Sequence, residues 1–201
     1  SAIKKYAKIA GDWKNEPLKI PDKDAGQWDD THPIAQILWT REMNERTNGK
    51  YVNMVRALKW RKKNYCKNAD TIKSYPLEHF IGDCCSVGYD SLAATITYTL
   101  QTMSSYDETK KPFLHDRGVP QHDVFGRVKD EDYKNFITAI KGIAIKAKDA
   151  LEEQDLYESS KKWRNIFGPE FPLYNKPSTD DEPKFTRREE YSKPDKPSRY
   201  A

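Results

Sequence analysis

No apolar run in this 201-residue chain approaches the ~20 residues needed to cross a bilayer, so no membrane segment is expected. A basic stretch followed by an apolar one, the mark of a secretory leader, is missing too. Cysteine is scarce: Cys66, Cys84 and Cys85 are an odd number, and two of them are adjacent. They offer no disulfide framework, and reduced thiols in a cytoplasmic protein are the expectation. Apolar residues are few at 36%, and charged residues many at 33%, which suits one core with a solvated extension. No internal repeat is present. The net charge of +4 is too small to name a partner; where the charges cluster carries more.

What is present is helical periodicity. Residues 1–30 show none, apart from one short extended segment, Glu16-Pro17-Leu18-Lys19-Ile20-Pro21, bounded by prolines. Asp29-Asp30-Thr31-His32-Pro33 reads as a helix start, with Asp30 or Thr31 as cap and Pro33 in the first turn. Ile34, Ile37 and Leu38 continue it to a break at Asn48-Gly49. A second helix is expected over 50–64, with Tyr51, Val55 and Leu58 as its apolar stripe. Ser74 is expected to cap a third helix carrying Leu77, Phe80 and Ile81. Leu92 to Met103, rich in Thr and Ala, reads as a buried fourth helix. Asp130 is expected to cap a long helix reaching Glu153, its period kept by Tyr133, Phe136, Ile137, Ile140, Ala144, Ala147 and Leu151. A last helix carries Tyr157, Trp163 and Ile166 and stops at Phe167-Gly168-Pro169. The expected fold is all-α: a bundle of five or six helices over 31–174, preceded by a linker over 1–30 with at most one short N-terminal strand. The tail, 175–201, is Pro, Lys, Asp, Glu and Arg with few apolar residues, a composition that cannot offset ordering entropy, and is expected to be disordered.

Charge clusters in one place. Arg56, Lys59, Arg61, Lys62, Lys63, Lys67 and Lys73 face a single acid, Asp70. Arg56, Lys59 and Lys63 share one helix face, and the stretch runs into a helix start holding Ser74 and Tyr75. Ammonium groups and the free amides of a helix start suit phosphates, and Tyr75 suits stacking on a base. A solvated lysine-rich face with a serine cap has the same composition.

Four segments in order carry a resemblance. Arg56-Ala57-Leu58-Lys59-Trp60-Arg61 is similar to an R-x-L-K-x-W-R helix, one residue shorter because Trp60 directly follows Lys59, and Lys73-Ser74-Tyr75-Pro76-Leu77-Glu78 to an S-Y-x-L-E helix head. Upstream, Ile20-Pro21-Asp22 through Trp28-Asp29-Asp30-Thr31-His32-Pro33 resembles an inter-lobe linker. Downstream, Trp163-Arg164-Asn165-Ile166-Phe167-Gly168-Pro169-Glu170-Phe171-Pro172 resembles a W-R-x-x-F-G-x-x-F-P ending. Together, over residues 20–172, they resemble the cGAS/DncV-like nucleotidyltransferases (CD-NTases), relatives of the oligoadenylate synthetases. The resemblance implies the C-terminal helical lobe of a two-lobed nucleotidyltransferase, one that makes a cyclic or linear oligonucleotide second messenger from nucleoside triphosphates in bacterial antiphage defence. It implies that Lys59 contacts the triphosphate, Ser74 a neighbouring phosphate oxygen and Tyr75 the base, with Arg56 and Lys73 as further nucleotide-binding candidates. Leu77 and Glu78 are given a positioning role.

The family's catalytic lobe also carries Gly-Ser and three carboxylates that hold two magnesium ions. This chain has no Gly-Ser dipeptide. Asp22-Lys23-Asp24 and Asp130-Glu131-Asp132 have the right one-residue spacing, but they sit in a proline-bounded linker and at a helix start, where turn and cap chemistry accounts for them. The expectation is that magnesium belongs to the intact parent enzyme, with no catalytic residue, metal site or turnover in this chain without its N-terminal catalytic lobe. His79 with Cys84-Cys85 lacks a zinc-site spacing and is read as buried helix residues. His115, His122 and Asp123 lie in one loop; the histidines are read as solvent-facing, and the segment Gly118 to Val124 is given a structural role. The tail ending Arg199-Tyr200-Ala201 suits a conjugation or regulatory partner, and a plain disordered tail accounts for it equally. A rival to the enzyme reading is a non-enzymatic helical module that binds nucleic acid or an acidic partner through the 56–73 basic patch.

Overall fold

The computed structural model describes residues 18–22, 26–65 and 72–175. Most of the expected linker (1–17, 23–25), Cys66 with Lys67 and Asp70, and the tail beyond Asn175 lie outside the described residues. Among the described residues two strands, β1 (Leu18–Asp22) and β2 (Gln27–Thr31), precede six helices: α1 (Pro33–Arg46), α2 (Lys50–Tyr65), α3 (Ser74–Cys84), α4 (Leu92–Ser104), α5 (Asp130–Glu152) and α6 (Leu156–Phe167). The mostly α-helical class holds. The strand count differs: β1 and β2 form an antiparallel hairpin with Leu18 opposite Thr31 and Asp22 opposite Gln27. Gln27-Trp28-Asp29-Asp30-Thr31 has no apolar alternation, so only the backbone pairing, aided by a 2.5 Å Lys19–Asp30 ion pair, reveals it as a strand.

Three helix starts also differ from expectation. His32, not Asp30 or Thr31, caps α1: its Nδ1 accepts from the Ala35 amide at 3.2 Å. Ser74 is the first residue of α3, after Lys73 in the cap position, and no side chain caps it. Asp130 likewise lies inside the first turn of α5, after Lys129. There its carboxylate still favours the helix through the macrodipole rather than through a cap hydrogen bond.

The centre of the bundle is α5 against α4. Tyr133, Phe136, Ile137, Ile140, Ile143, Ala144, Ala147 and Ala150 of α5 are buried at helical spacing. The alanines in the last turns let α4 come close, and Thr97 Oγ1 donates to the Ala147 carbonyl at 3.3 Å. Thr95 hydroxyl donates to Ser91 O at 2.9 Å within its own helix. Such a bond lets a buried threonine sit in a helix with its hydroxyl satisfied. From α3, Phe80 packs edge-on to Tyr106 at 4.9 Å and tilts against Phe125 at 5.4 Å and Phe136 at 6.2 Å. The ending stacks as well: Trp163, Phe167 and Phe171 lie ring over ring at 6.0 Å steps, and Gly168, at φ 94°, lets the chain turn off α6. Among the described residues no helix is long and apolar enough to cross a membrane.

Candidate nucleotide site

The five sequence candidates fall on two helices. Arg56 and Lys59 lie one turn apart on α2, with Arg56 exposed. Lys73, Ser74 and Tyr75 follow one another at the head of α3, and all three are exposed. One ion pair ties the helices together: Lys59 Nζ donates to Glu78 Oε2, with both side chains about one-third exposed. Glu78 is three residues past Tyr75, on the same side of α3. The ion pair thus brings Lys59 to the side of α3 that carries Tyr75, and Arg56 is one turn away on α2.

Tyr75 is fixed more firmly than its exposure suggests. Its hydroxyl donates to Asp116 Oδ2 and accepts from Gln36 Nε2 at 2.7 Å. Its ring leans on His79, centroids 4.3 Å apart. Burial and the hydrogen bond to the Asp116 carboxylate push the phenol well above its usual range, so it stays a donor. Asp116 is itself held: Oδ1 accepts from the Gly118 amide at 2.7 Å, the Val119 amide at 3.1 Å and Gln36 Nε2 at 3.0 Å. Burial opposes its charge, but the bonds from Tyr75, Gly118 and Val119 prevail and hold the carboxyl below the usual aspartate range.

Beside this cluster, Arg117 lies over Trp39 of α1, 4.0 Å from the ring centroid. It pairs with Asp83 and donates to the His79 carbonyl at 3.2 Å. His79 is buried; its Nε2 accepts from the Arg117 amide at 3.4 Å and its Nδ1 lies 3.2 Å from the Tyr75 carbonyl. Desolvation lowers its pKa. Cys84 is buried and its thiol is pushed up to about 12, mainly by burial, which makes it an inert core residue. In the loop, Asp123 Oδ1 accepts from the Leu114 and Phe125 amides, each at 2.9 Å. His115 is exposed, and its Nδ1 lies 2.7 Å from the Pro120 carbonyl.

The sequence reading missed Asp116, Gln36, Trp39 and Arg117. A local signal existed for the first: Asp116-Arg117-Gly118 is an aspartate two residues before a glycine, the spacing of an Asx turn. Its bond to Tyr75 spans 41 residues and has no sequence signature.

No protein-family model matches the chain. The chain is 39% identical over 198 residues to a cyclic AMP-AMP-GMP synthase of Enterobacter hormaechei subsp. hoffmannii, covering 96% of this chain and 52% of that protein. It is 28% identical over 158 residues to a cyclic AMP-AMP-AMP synthase of an Acinetobacter species, 76% of this chain and 46% of that one. The chain belongs to the CD-NTase family. The CD-NTase fold recurs in the solved structure of Escherichia coli MS115-1 CdnC in a HORMA-deltaN complex, with a TM-score of 0.60 at 13% identity over 73% of this chain and 54% of that one. CdnC solved with ATP gives 0.58 at 14% identity. This CD-NTase chain spans about half the length of the relatives it matches.

CD-NTase chemistry calls for converging carboxylates around a divalent metal. The described residues do not fit that group: no three of His, Cys, Asp or Glu converge among them. Asp22 pairs with Arg127, and Asp130 lies 3.4 Å from Lys111, each on a different element.

Proposed function

We propose that this chain is the nucleotide-holding helical half of a CD-NTase that joins nucleoside triphosphates into a cyclic or linear oligonucleotide second messenger in cytoplasmic antiphage defence. In this reading Lys59 and Ser74 grip the triphosphate, Tyr75 stacks on the base, and Arg56 and Lys73 add positive charge at the rim. Magnesium and the attacking geometry come from carboxylates outside this chain, so the chain alone binds nucleotide weakly and turns nothing over. The observation that carries the reading is Tyr75: an exposed aromatic ring whose hydroxyl is tied on two sides at the head of an α3 start that no side chain caps. A ring already held in place loses little freedom when a base stacks on it, and uncapped amides beside Lys73 suit phosphate oxygens. The relatives named as cyclic oligonucleotide synthases, and CdnC solved with ATP, support the same reading.

The rival, a nucleic-acid or acidic-partner module using the 56–73 patch, draws on the same cations, and the Lys59–Glu78 ion pair bears equally on both readings. Titration of ATP and GTP into the chain at low salt, followed by NMR, separates the two. Saturable shifts confined to residues 56–75, lost in Lys59→Ala and Tyr75→Ala, are expected. Equal shifts from any polyanion, with a steep salt dependence, would move the assignment to the rival. Synthesis of product by the isolated chain would refute the division of labour.

A further inference from the structure

We infer that Asp116 is the positioning residue of the nucleotide site: it acts through Tyr75, holding the ring in the orientation a base must meet. The inference rests on the reading of Tyr75 as the stacking platform. Three observations carry it. First, Asp116 is anchored before it touches Tyr75: the Gly118 and Val119 amides and Gln36 all donate to Oδ1, which leaves Oδ2 for the Tyr75 hydroxyl. Second, Gln36 closes the triangle, its Nε2 reaching both the Tyr75 oxygen and Asp116 Oδ1. The phenol end is therefore restrained from α1 and from the loop before α5 at once. Third, the turn that presents Asp116 is pressed against the start of α1. A Cβ on Gly118 would sit 2.5 Å from His32 Cβ and 2.9 Å from the His32 carbonyl oxygen. The carboxylate therefore has a fixed place, set by backbone contact.

His79 backs the ring, and the hydroxyl is tied at its far end. An unanchored tyrosine on the first turn of a helix samples several rotamers; this one has a single hydrogen-bonded position. Asp116 touches neither base nor phosphate in this account. Its contribution is to remove rotamer freedom before the nucleotide arrives, a saving on the order of that for one immobilised side chain.

The test uses the whole 201-residue chain with ATP as probe. Asp116→Asn is the informative variant, because its amide oxygen keeps the acceptor for Gly118 and Val119 and only the carboxylate on Tyr75 is lost. Carbon-13 relaxation of the Tyr75 ring, measured without nucleotide, is expected to show an ordered ring in the wild type and a more mobile one in Asp116→Asn. ATP affinity is expected to fall about threefold to tenfold in Asp116→Asn, while Tyr75→Phe/Asp116→Asn binds no more weakly than Tyr75→Phe alone. An unchanged ring in Asp116→Asn would overturn the inference, with or without nucleotide data. So would an affinity loss as large in the Tyr75→Phe background as in the wild type, since Asp116 would then act on the loop and not on the ring. Absence of ATP-dependent shifts at Tyr75 in the wild type would overturn the nucleotide reading and this role with it. Wild-type shifts that persist undiminished in Asp116→Asn would overturn the positioning role alone.

Discussion

The two sides of α3 are held by different physics. One side, with Leu77, Phe80, Ile81 and Cys84, is buried in the core and gains from area removed from water. The other, with Tyr75, Glu78 and Asp83, is held by ion pairs and hydrogen bonds to α1, α2 and the loop before α5. The apolar side tolerates any partner of the right size and shape. The polar side demands particular atoms at particular places, and a lost partner leaves an unsatisfied group behind. The contrast explains how one short helix is both a structural element and a presenter of exposed side chains.

The strongest way to break the comparison is from the apolar side. Phe80→Ala is expected to cost about 3–5 kcal/mol, because the ring is fully buried among Tyr106, Phe125 and Phe136. Urea unfolding should show the midpoint falling sharply, and a small change would mean the site collapses around the gap.

A smaller effect is expected from Gly118→Ala. The new methyl must push the loop off His32, at a cost of about 1–3 kcal/mol. Because that loop carries Asp116, loss of order at the Tyr75 ring should accompany the loss of stability in NMR spectra, whereas Phe80→Ala acts on the core first.

The smallest effect concerns acid. The folded pKa of His79 lies below its ordinary 6.5, so its neutral form is favoured by folding. Stability is expected to be full above about pH 6.5 and to decline as pH falls below that value. The folded pKa of Asp116 lies below its ordinary 3.8, which adds a second decline below about pH 4. Chemical denaturation across this range should resolve the two steps, and Asp116→Asn should weaken the lower one, the rest of which comes from carboxyls such as Asp107 and Glu153 that are also held below their ordinary range. A lower step unaffected by that substitution would show that Asp116 does not couple to folding as its hydrogen bonds require, and a flat profile between about pH 8 and 5 would show the same for His79.

Much of the helical layout was legible without tertiary information. The period of Tyr133, Phe136, Ile137, Ile140, Ala144 and Ala147 declares one face of α5, and those residues are buried as that face. The stop at Phe167-Gly168 was readable because a positive φ beyond a helix end favours glycine. Caps and the second strand were not: His32 displaces Asp30 and Thr31 as cap, and β2 is a strand only because β1 pairs with it.

For the site, the sequence by itself determined which residue types stand at the heads and faces of α2 and α3. Charge, helix periodicity and the order of four short segments are local properties, written in consecutive residues. Only the tertiary structure decided what those residues hold. Lys59 meets Glu78 from another helix, Tyr75 is clamped by Gln36 and Asp116, and Arg117 covers Trp39 while gripping Asp83. Those partners lie 19 to 78 residues apart in the chain. No periodicity connects positions so distant; the packing of α1, α3 and the loop brings them within hydrogen-bonding reach.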